Sequence, residues 1–348
     1  MKILVRAPNW IGDAIMAIPA LRALRASSRA ANLSILARPH VLDIYRDQDL
    51  ADDLVAYDWR GIHAGIAGRE RLVTDLRARR YDTAILLQNA FDAAWLAWRA
   101  KIPQRIGYNR DARGFFLTKA IAIPKIGEIP AHEKYYYLEL LRRAACIQSL
   151  PEESFIRLTI SDEIRQRASA FLEQAGARPG ATRIAIGAGA SYGSAKCWPP
   201  ERFAQLANQL QWQTGAEVIL FGTAAESSVS NAIVAGMSPA PIDLTGKTSV
   251  ADLPALLSHC HIFIGNDSGA MHVAAAMGLP VVAIFGPTDP HGTAPDTPRC
   301  AIVQEKPFCS PCFLRRCPID HRCMTKISAE AVLSAAQPWL AGIEVHRG

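Results

Sequence analysis

The chain has 348 residues, of which half are hydrophobic and a fifth are charged, a composition typical of a folded globular protein. This length predicts two domains rather than one. The excess of 38 basic over 32 acidic residues is modest and favours an anionic substrate or an anionic membrane surface. Because no aromatic-rich basic motif accompanies that excess, nucleic acid is excluded as a partner.

The apolar start of the chain is interrupted by Arg6 and Asp13, which argues against a signal peptide. The longest uncharged stretch, residues 270–288, contains Gly278 and Pro280, which divide it into a helix, a turn and a strand. A membrane-spanning segment is therefore not expected, and we expect a soluble cytoplasmic protein. Its eight cysteines are not expected to form a disulfide framework in that compartment.

Strand and helix patterns alternate along the first half of the chain and predict a parallel sheet covered by helices. Residues 2–7 form a predicted strand, residues 8–13 a loop and residues 14–27 an amphipathic helix. Further strands are predicted at residues 33–37, 54–57 and 82–87, and a helix at residues 132–146. With a crossover at residues 150–160, the first domain comprises residues 1–160.

A second alternating series begins with a predicted helix at residues 161–176, with Ser161 and Asp162 as its capping residues. Together the two series predict two doubly wound α/β domains in tandem, which would form a ligand-binding cleft. We assign residues 161–327 to the second domain, and residues 328–348 to a C-terminal helix that packs back on the first. The predicted strands of this half are residues 183–187, 217–221, 261–264 and 281–285, and the predicted helices are residues 200–214, 224–237, 250–258 and 269–277.

The first candidate motif, PNWIGDAIMAIPAL at residues 8–21, joins the first strand to the first helix. It contains a single glycine, Gly12, and so lacks the GxGxxG pattern of a dinucleotide-binding loop. Asp13 has two interpretations that the spacing leaves open. It either caps its helix or provides a carboxylate at the floor of a cleft that acts as a general base.

The second motif, GAGASYGSAKCWPPERF at residues 187–203, follows a strand and leads into a helix that opens with two prolines. Its small residues allow the backbone to approach a ligand closely. Ser191, Tyr192 and Ser194 offer hydroxyl groups and Lys196 offers a positive charge, a combination that suits a pyrophosphate. The alternative is a flexible surface loop with a solvated lysine.

The third motif, IGNDSGAMHVAAAMGLPVVAIFGPTDP at residues 264–290, is a strand that runs through Asn266 and Asp267 into a helix of small residues. The backbone N–H groups from Ser268 and Gly269 onwards would form an anion site at the helix N-terminus. His272 lies one turn later on the same face. Simple capping by Asp267 or Ser268, with His272 packed against the next strand, remains compatible with anion binding.

Four cysteines, Cys309, Cys312, Cys317 and Cys323, form a C-x2-C-x4-C-x5-C pattern together with His321. The spacing is short enough for zinc, but it lacks the two well-separated pairs of a zinc ribbon. The alternative is a compact loop with small buried residues, and we assign no metal to it. A second cluster is basic and is either a solvated face or a site for an anionic acceptor: Arg99, Lys101, Arg105, Arg110, Arg113 and Lys119.

Together, these motifs resemble the ADP-heptose:lipopolysaccharide heptosyltransferases, and within that family most of all heptosyltransferase II. The resemblance runs in the same order over nearly the whole chain. The segments that carry it are PNWIGDAIMAIPALRALR, SYGSAKCWPPERF, LTGKTS, GNDSGAMHVAAAMGLPVVAIFGPTDP and CSPCFLRRCPIDHRCM.

The resemblance implies two Rossmann-like doubly wound domains that face each other across a cleft, the GT-B arrangement, with the donor bound mainly by the second domain. It implies an inverting transfer that needs neither a metal nor another cofactor. Asp13 matches the family's general base and Lys196 its donor-phosphate lysine. The physical requirements agree, because the departing diphosphate needs charge stabilisation, which Lys196 and the Ser268–Gly269 helix N-terminus can provide.

Further donor contacts follow from the same resemblance. Glu226 matches the ribose-binding glutamate and Thr248 lies near the adenine-contacting backbone, while Tyr192 stands where threonine is common in the family. Arg110 and Arg113 are assigned to the acceptor. The remaining donor positions are Gly12, Ser191, Asp267, Ser268, Gly269 and His272.

The resemblance also implies the partners. The donor is ADP-heptose and the acceptor is the lipid A-core glycolipid at the inner face of the inner membrane, where the second heptose is added onto heptose I. We therefore expect a peripheral membrane protein, and a monomer. The alternatives are heptosyltransferase I or III acting on another core acceptor, a non-catalytic sugar-nucleotide sensor, and a nicotinamide-dependent oxidoreductase, which the missing GxGxxG disfavours.

Overall fold

The computed structural model describes residues 1–151 and 155–341. The chain divides between residues 154 and 155 into two units, each with its own hydrophobic core. The predicted boundary at residue 160 is six residues too late. Residues 152–154 of the predicted crossover and residues 342–348 of the predicted C-terminal segment lie outside the described residues.

The first unit contains a parallel sheet whose described strands run in the order β3-β2-β1-β4-β5-β6. Helices cover the sheet because its strands are apolar on both faces, as in Thr83–Leu86, where all four residues are buried. The elements are β1 (Lys2–Arg6), α1 (Ile11–Ser27), β2 (Asn32–Ala37), α2 (Pro39–Tyr45), β3 (Asp53–Ala56), α3 (Gly65–Arg79), β4 (Thr83–Leu86), α4 (Phe91–Arg99), β5 (Gln104–Tyr108), β6 (Lys119–Ile121) and α5 (Glu133–Arg143).

The second unit repeats this plan with the described strand order β12-β11-β10-β7-β8-β9, again all parallel. The elements are α6 (Asp162–Gln174), β7 (Arg183–Gly187), α7 (Pro200–Thr214), β8 (Glu217–Phe221), α8 (Ser227–Ala235), β9 (Ile242–Asp243), α9 (Leu253–Leu257), β10 (Ile262–Asn266), α10 (Gly269–Ala276), β11 (Val281–Phe285), α11 (Pro290–Thr293), β12 (Cys300–Gln304), α12 (Arg322–Thr325) and α13 (Ala329–Leu340).

The C-terminal helix α13 packs differently from the prediction. Its apolar residues Val332, Ala336 and Leu340 are part of the core of the second unit, where α13 lies against α7, β11 and β12. The prediction that this helix packs back on the first domain is therefore wrong for its described residues. The physical reason is that α13 has an apolar stripe that completes the cover over one face of the second sheet.

Three short 3-10 turns, Gly114–Phe116, Ser194–Lys196 and Ala224–Glu226, follow β5, β7 and β8. In a parallel sheet all carboxyl ends of the strands lie at one edge, which we call the carboxyl edge, and ligands of doubly wound sheets bind there. Among the described residues, no helix combines the length and the apolar composition that a membrane crossing requires.

Candidate active site

Asp13 lies in the first turn of α1, directly after β1 at the carboxyl edge of the first sheet. The helix begins at Ile11, three residues earlier than predicted, so Gly12 and Asp13 are helical and Trp10 is the N-cap residue. Asp13 is thus not the N-cap. A carboxylate at this position interacts favourably with the positive end of the helix dipole.

The loop before Asp13 is held by Arg6, a residue that the sequence analysis read only as an interruption of the apolar strand. Arg6 is buried, donates from Nη2 to Asn9 Oδ1 (2.7 Å) and from Nη1 to the carbonyl oxygen of Ala7 (2.6 Å), and stacks on the Tyr57 ring. Burial lowers the pKa of Arg6 to about 10, and Asp92 opposes this shift. An arginine at the end of an otherwise apolar predicted strand is the sequence signal that could have identified it as a positioning residue.

Three titratable side chains share the electrostatic environment of Asp13. Desolvation, and then the charge of Asp13, raise the pKa of Glu133 to about 7, while Arg110 opposes the shift. Burial and the Asp13 charge likewise raise the pKa of Tyr45 and of Tyr137. Glu133 begins α5, which packs along α1, so the first unit holds a second carboxylate close enough to feel the charge of Asp13. The sequence analysis missed Glu133, because the two residues are 120 positions apart.

The second half of the candidate site lies at the carboxyl edge of the second sheet. Lys196 forms an ion pair with Asp267, and their side chains are 12% and 5% exposed. Thr288, in the loop after β11, donates from Oγ1 to the same carboxylate oxygen of Asp267 (2.6 Å). The loops after β7, β10 and β11 therefore converge on one charged cluster, which unites two of the sequence-predicted motifs.

The helix α10 begins beside this cluster. Ser268 is its N-cap residue but makes no side-chain capping hydrogen bond, and Ser268 Oγ is a buried atom without a hydrogen-bond partner among the described residues. The first-turn N–H groups, starting at Gly269, have no partners within the helix. His272 is buried one turn further on. An unpartnered hydroxyl beside free N–H groups is suited to bind an anionic oxygen.

Asn266, a residue to which the sequence motifs gave no role, connects the loops after β7 and β10. It is fully buried, donates from Nδ2 to the carbonyl oxygen of Ala188 (2.6 Å) and accepts from the backbone N–H of Trp198 (3.1 Å). These two residues bracket the loop that contains Lys196. Asn266 therefore determines how far that loop extends from the sheet.

The loop that contains Lys196 is also joined to the cysteine-rich segment. The Tyr192 hydroxyl donates to the carbonyl oxygen of Phe313 (2.6 Å), and the Tyr192 ring stacks on both Lys196 and Arg315. The N–H of Ala195 donates to the carbonyl oxygen of Arg315 (3.1 Å). Tyr192 thus positions the loop through its ring and its hydroxyl, whereas Ser191 is exposed at the loop tip.

The four cysteines Cys309, Cys312, Cys317 and Cys323 and His321 line one pocket. All four thiols are free, and no group of three or more His, Cys, Asp and Glu side chains in the described ranges 1–151 and 155–341 has an arrangement that could hold a metal ion. The backbone N–H of Cys312 donates to the carbonyl oxygen of Pro287 (3.0 Å), next to Thr288. This segment is therefore a wall of the candidate donor site.

Glu226 and Thr248 follow β8 and β9, the two strands at the opposite end of the second sheet from β11 and β12. Glu226 accepts from the N–H and the hydroxyl of Thr223 (2.7 and 2.9 Å) in a capping box, and its Oε1 lies against the backbone of Gly189. A side chain at Gly189 would displace it, which explains the glycine there. Thr248 lies partly exposed in the loop after β9. The predicted ribose and adenine residues thus follow two neighbouring strands.

The basic cluster of residues 99–119 does not form one accessible basic face. Arg113 is fully buried, donates from Nε to the carbonyl oxygen of Tyr108 (3.0 Å) and from Nη2 to Asn89 Oδ1 (3.0 Å), and also donates from Nη1 to the Gln88 carbonyl oxygen. The prediction that Arg113 contacts an acceptor is therefore wrong, because all three of its guanidinium nitrogens are bonded within the unit. Arg110 stays partly exposed, beside Asp111.

A different basic group lies at the carboxyl edge of the first sheet. The guanidinium groups of Arg38 and Arg60 stack on the Trp59 ring, at 4.8 and 4.7 Å from its centroid. Burial, and then the charge of Arg60, lower the pKa of Arg38. Arg38 directly follows β2, the neighbour of β1, so this group shares an edge with Asp13. This group was not predicted, because Arg38 follows β2 whereas Trp59 and Arg60 follow β3, about 20 residues later in the sequence.

The fold and these clusters define a protein of two Rossmann-like units with a candidate anion site at the carboxyl edge of the second sheet. Residues 69–322 match glycosyltransferase family 9 (heptosyltransferase), so the chain belongs to that family and is a glycosyltransferase. It is 30% identical over 312 residues to lipopolysaccharide heptosyltransferase 2 of Salmonella typhimurium. The aligned region covers 87% of this chain and 88% of that relative. The corresponding protein of Escherichia coli K12 is also 30% identical, over 313 residues.

Solved structures agree with this assignment. ADP-heptose LPS heptosyltransferase II of E. coli superposes with a TM-score of 0.80 at 27% identity and 98% coverage of both chains. A glycosyl transferase of family 9 from Veillonella parvula superposes with a TM-score of 0.84 at 24% identity and 97% coverage of both. The predicted fold class, two Rossmann-like units of the GT-B type, and the predicted enzyme family are confirmed.

Proposed function

We propose that the chain transfers a heptose from ADP-heptose to the inner core of lipopolysaccharide, adding the second heptose onto heptose I. Its similarity, over 87% of the chain, to two lipopolysaccharide heptosyltransferases 2 supports this acceptor class, and the name of the E. coli structure supports ADP-heptose as the donor. The observation that carries the proposal is the Lys196–Asp267–Thr288 cluster beside the N-terminus of α10, which is suited to a diphosphate.

The proposed chemistry is a single inverting displacement. An acceptor hydroxyl oxygen attacks the anomeric carbon of the heptose, its proton passes to the Asp13 carboxylate, and the bond from that carbon to the phosphate oxygen breaks. ADP leaves with the electron pair of that bond. Lys196 and the α10 N–H groups stabilise the negative charge that develops on the diphosphate, so the proposed transfer needs no metal ion.

The acceptor is proposed to bind to the first unit and the donor to the second. The Arg38–Trp59–Arg60 group supports binding of an anionic, phosphorylated sugar, because two cations on one aromatic ring form a rigid positive surface. Arg110 is a further candidate for the acceptor. Glu226 and Thr248 are proposed to contact the ribose and the adenine, and Ser191, Ser268, Gly269 and His272 the phosphates and the heptose, whereas Gly12 is proposed as a donor contact from the first unit.

The direct experiment is transfer from ADP-heptose to a panel of truncated core glycolipids, with the products identified by mass spectrometry. Addition of a heptose only to the acceptor that ends in heptose I supports the proposal. Addition to a core without heptose, or only to a longer core, would favour heptosyltransferase I or III. Donor binding without transfer to any acceptor would favour a sugar-nucleotide sensor.

Asp13→Asn tests the proposed base. We expect this variant to retain its affinity for ADP, because the proposed diphosphate contacts belong to the second unit, and to lose about 10²–10⁴-fold in turnover, the usual cost of removing a general base. The control is Asp43→Asn, a partly exposed carboxylate on α2 that pairs with Arg46. Near-normal turnover of Asp13→Asn would exclude the role.

A further inference from the structure

Four aromatic rings are packed together on the surface of the first unit. The ring of Phe116 lies 4.1 Å from that of Phe115, 5.2 Å from that of Phe91 and 5.1 Å from that of Trp98, measured between centroids. Phe116 is buried, whereas Phe115, Phe91 and Trp98 are 74%, 46% and 45% exposed. We call these three exposed side chains, with Phe116 beneath them, the aromatic patch.

The aromatic patch is held in place rather than being part of a loose loop. Phe91 and Trp98 are seven residues apart on α4 and therefore share one helix face. The segment with Phe115 and Phe116 is fastened by Arg105, which donates from Nε to the carbonyl oxygen of Phe116 (2.6 Å) and from Nη1 to that of Ile102 (2.5 Å). A fixed, contiguous group of exposed aromatic rings is unusual on a protein surface and indicates a binding surface.

Exposed lysines lie near these rings in the sequence, since Lys101 comes three residues after Trp98 and Lys119 three residues after Phe116. Residues 91–119, which include the whole patch, contain six basic and two acidic residues. Lys101 is exposed directly after α4, and Arg110 is partly exposed in the segment that leads to Phe115, whereas Arg113 is buried. Trp and Phe side chains beside Lys and Arg are the composition of surfaces that insert into the headgroup region of an anionic bilayer.

The aromatic patch runs along α4. Phe91 begins this helix after β4, at the carboxyl edge that also contains Asp13. Trp98 near the end of α4, and Phe116, which accepts from Arg105 at the start of β5, lie towards the opposite edge. A bilayer in contact with the patch would therefore lie against this flank of the first unit and reach the carboxyl edge at Phe91.

We propose that the aromatic patch docks the first unit onto an anionic lipid bilayer. This inference rests on the proposed function, because a glycolipid acceptor gives the docking its purpose. A second copy of the chain is a poorer occupant. At about 200 Å² per aromatic side chain the exposed parts amount to roughly 300 Å², whereas a stable protein interface takes about 800 Å² from each partner.

The test is co-sedimentation of the full chain with vesicles of phosphatidylglycerol and phosphatidylethanolamine, compared with vesicles of phosphatidylcholine alone. We expect the protein to sediment with the anionic vesicles and to dissociate as salt is raised. The double variant Trp98→Gln/Phe115→Ser should lower the partition coefficient about tenfold or more, because it removes two inserted rings. The matched control is Trp212→Gln, which removes an 80% exposed tryptophan from α7 of the second unit and should bind vesicles like the wild type.

Two further measurements separate the outcomes. With a deacylated, water-soluble acceptor, the double variant should keep the wild-type rate, which shows that it is folded. Equal vesicle binding by the double variant and the wild type would overturn the inference. The finding that the wild type is a dimer and the double variant a monomer would also overturn it. Vesicle binding that depends on the patch, in a protein that transfers heptose to no acceptor, would instead uphold the docking and overturn the proposed function.

Discussion

Lys196 and Asp267 form an ion pair in a largely buried cluster. Removing either side chain would therefore leave the other as a buried charge without its partner, which destabilises the fold. Lys196→Ala removes the cation proposed for the diphosphate and leaves the carboxylate buried without its lysine. We expect ADP affinity measured by calorimetry to fall at least about tenfold, since a hydrogen bond to a charged group contributes about 1.5–3 kcal/mol.

The thermal midpoint of Lys196→Ala should fall as well. The matched control is Asp267→Asn, which keeps Lys196 but removes the carboxylate that pairs with it. This variant should retain more ADP affinity than Lys196→Ala, because the lysine cation remains available to the diphosphate. An unchanged ADP affinity in Lys196→Ala would exclude the lysine from the donor site.

Glu133 leads to a prediction about pH. Its pKa is raised from 4.5 to about 7 on folding, so the folded protein binds this proton more tightly than the unfolded chain does. The contribution of Glu133 to stability is therefore fully present below about pH 4.5 and is lost as the pH rises to about 7, by at most about 3 kcal/mol.

Glu133→Gln removes this ionisation. We expect the unfolding midpoint in urea to be higher in the variant than in the wild type at pH 8, and the difference to shrink or reverse at pH 5. Glu128→Gln, a change in an exposed carboxylate whose pKa is lowered by hydrogen bonding to Lys125, should not show this pattern. A difference between wild type and Glu133→Gln that is the same at both pH values would contradict the prediction.

At the scale of elements, the proposed donor site depends on how the loop after β7 is held in place. Asn266 holds its two ends, and the cysteine-rich segment holds its middle through Tyr192 and Ala195. A loop held in this way is preorganised, so it loses less conformational entropy when a ligand binds. The position of Lys196 is therefore a property of three elements rather than of one motif.

Tyr192→Phe tests this bracing. The variant keeps the ring that stacks on Lys196 and Arg315 but loses the hydrogen bond to the carbonyl oxygen of Phe313. We expect ADP affinity to fall about two- to tenfold, since such a bond contributes about 0.5–1.5 kcal/mol. Ser258→Ala is the control, because it removes a similar bond, to Ala255, after α9 on the opposite edge of the sheet. Equal effects of the two substitutions on ADP affinity would contradict the proposed bracing.

At the scale of the whole molecule, the two proposed substrates are recognised by different physics. The Arg38–Trp59–Arg60 group would bind an anionic acceptor through partly exposed charges, which salt screens. The donor would be held by directed hydrogen bonds to largely buried groups. We expect the KM for the acceptor to rise more steeply with salt than the KM for ADP-heptose.

Arg60→Ala should reduce that salt dependence and raise only the acceptor KM. Its control is Arg46→Ala, an exposed arginine paired with Asp43. If the KM values for donor and acceptor change in parallel, in either the salt series or the Arg60 variant, the proposal that the first unit binds the acceptor and the second the donor is contradicted.

Much of the architecture could be predicted because buried strands of a parallel sheet are continuous apolar runs. Thus Arg183–Gly187, Glu217–Phe221 and Val281–Phe285 were predicted with their observed bounds. The strands β5, β6, β9 and β12 were not predicted. β6, β9 and β12 lie at sheet edges, and β5 begins with Gln104 and Arg105. β12 does contain a short apolar run, CAIV, but it is largely half-buried rather than fully buried as in the predicted central strands.

The sequence by itself determined the enzyme family, the two Rossmann-like units and the order of the phosphate-type loops, because these depend on local patterns and on motifs read in order. Only the tertiary structure decided that Arg113 is buried, that α13 belongs to the second unit and that Glu133 lies near Asp13. The reason is physical: burial, pairing and pKa depend on which distant segments pack together. A charged residue has the same letter whether it faces water or a carbonyl oxygen inside the core.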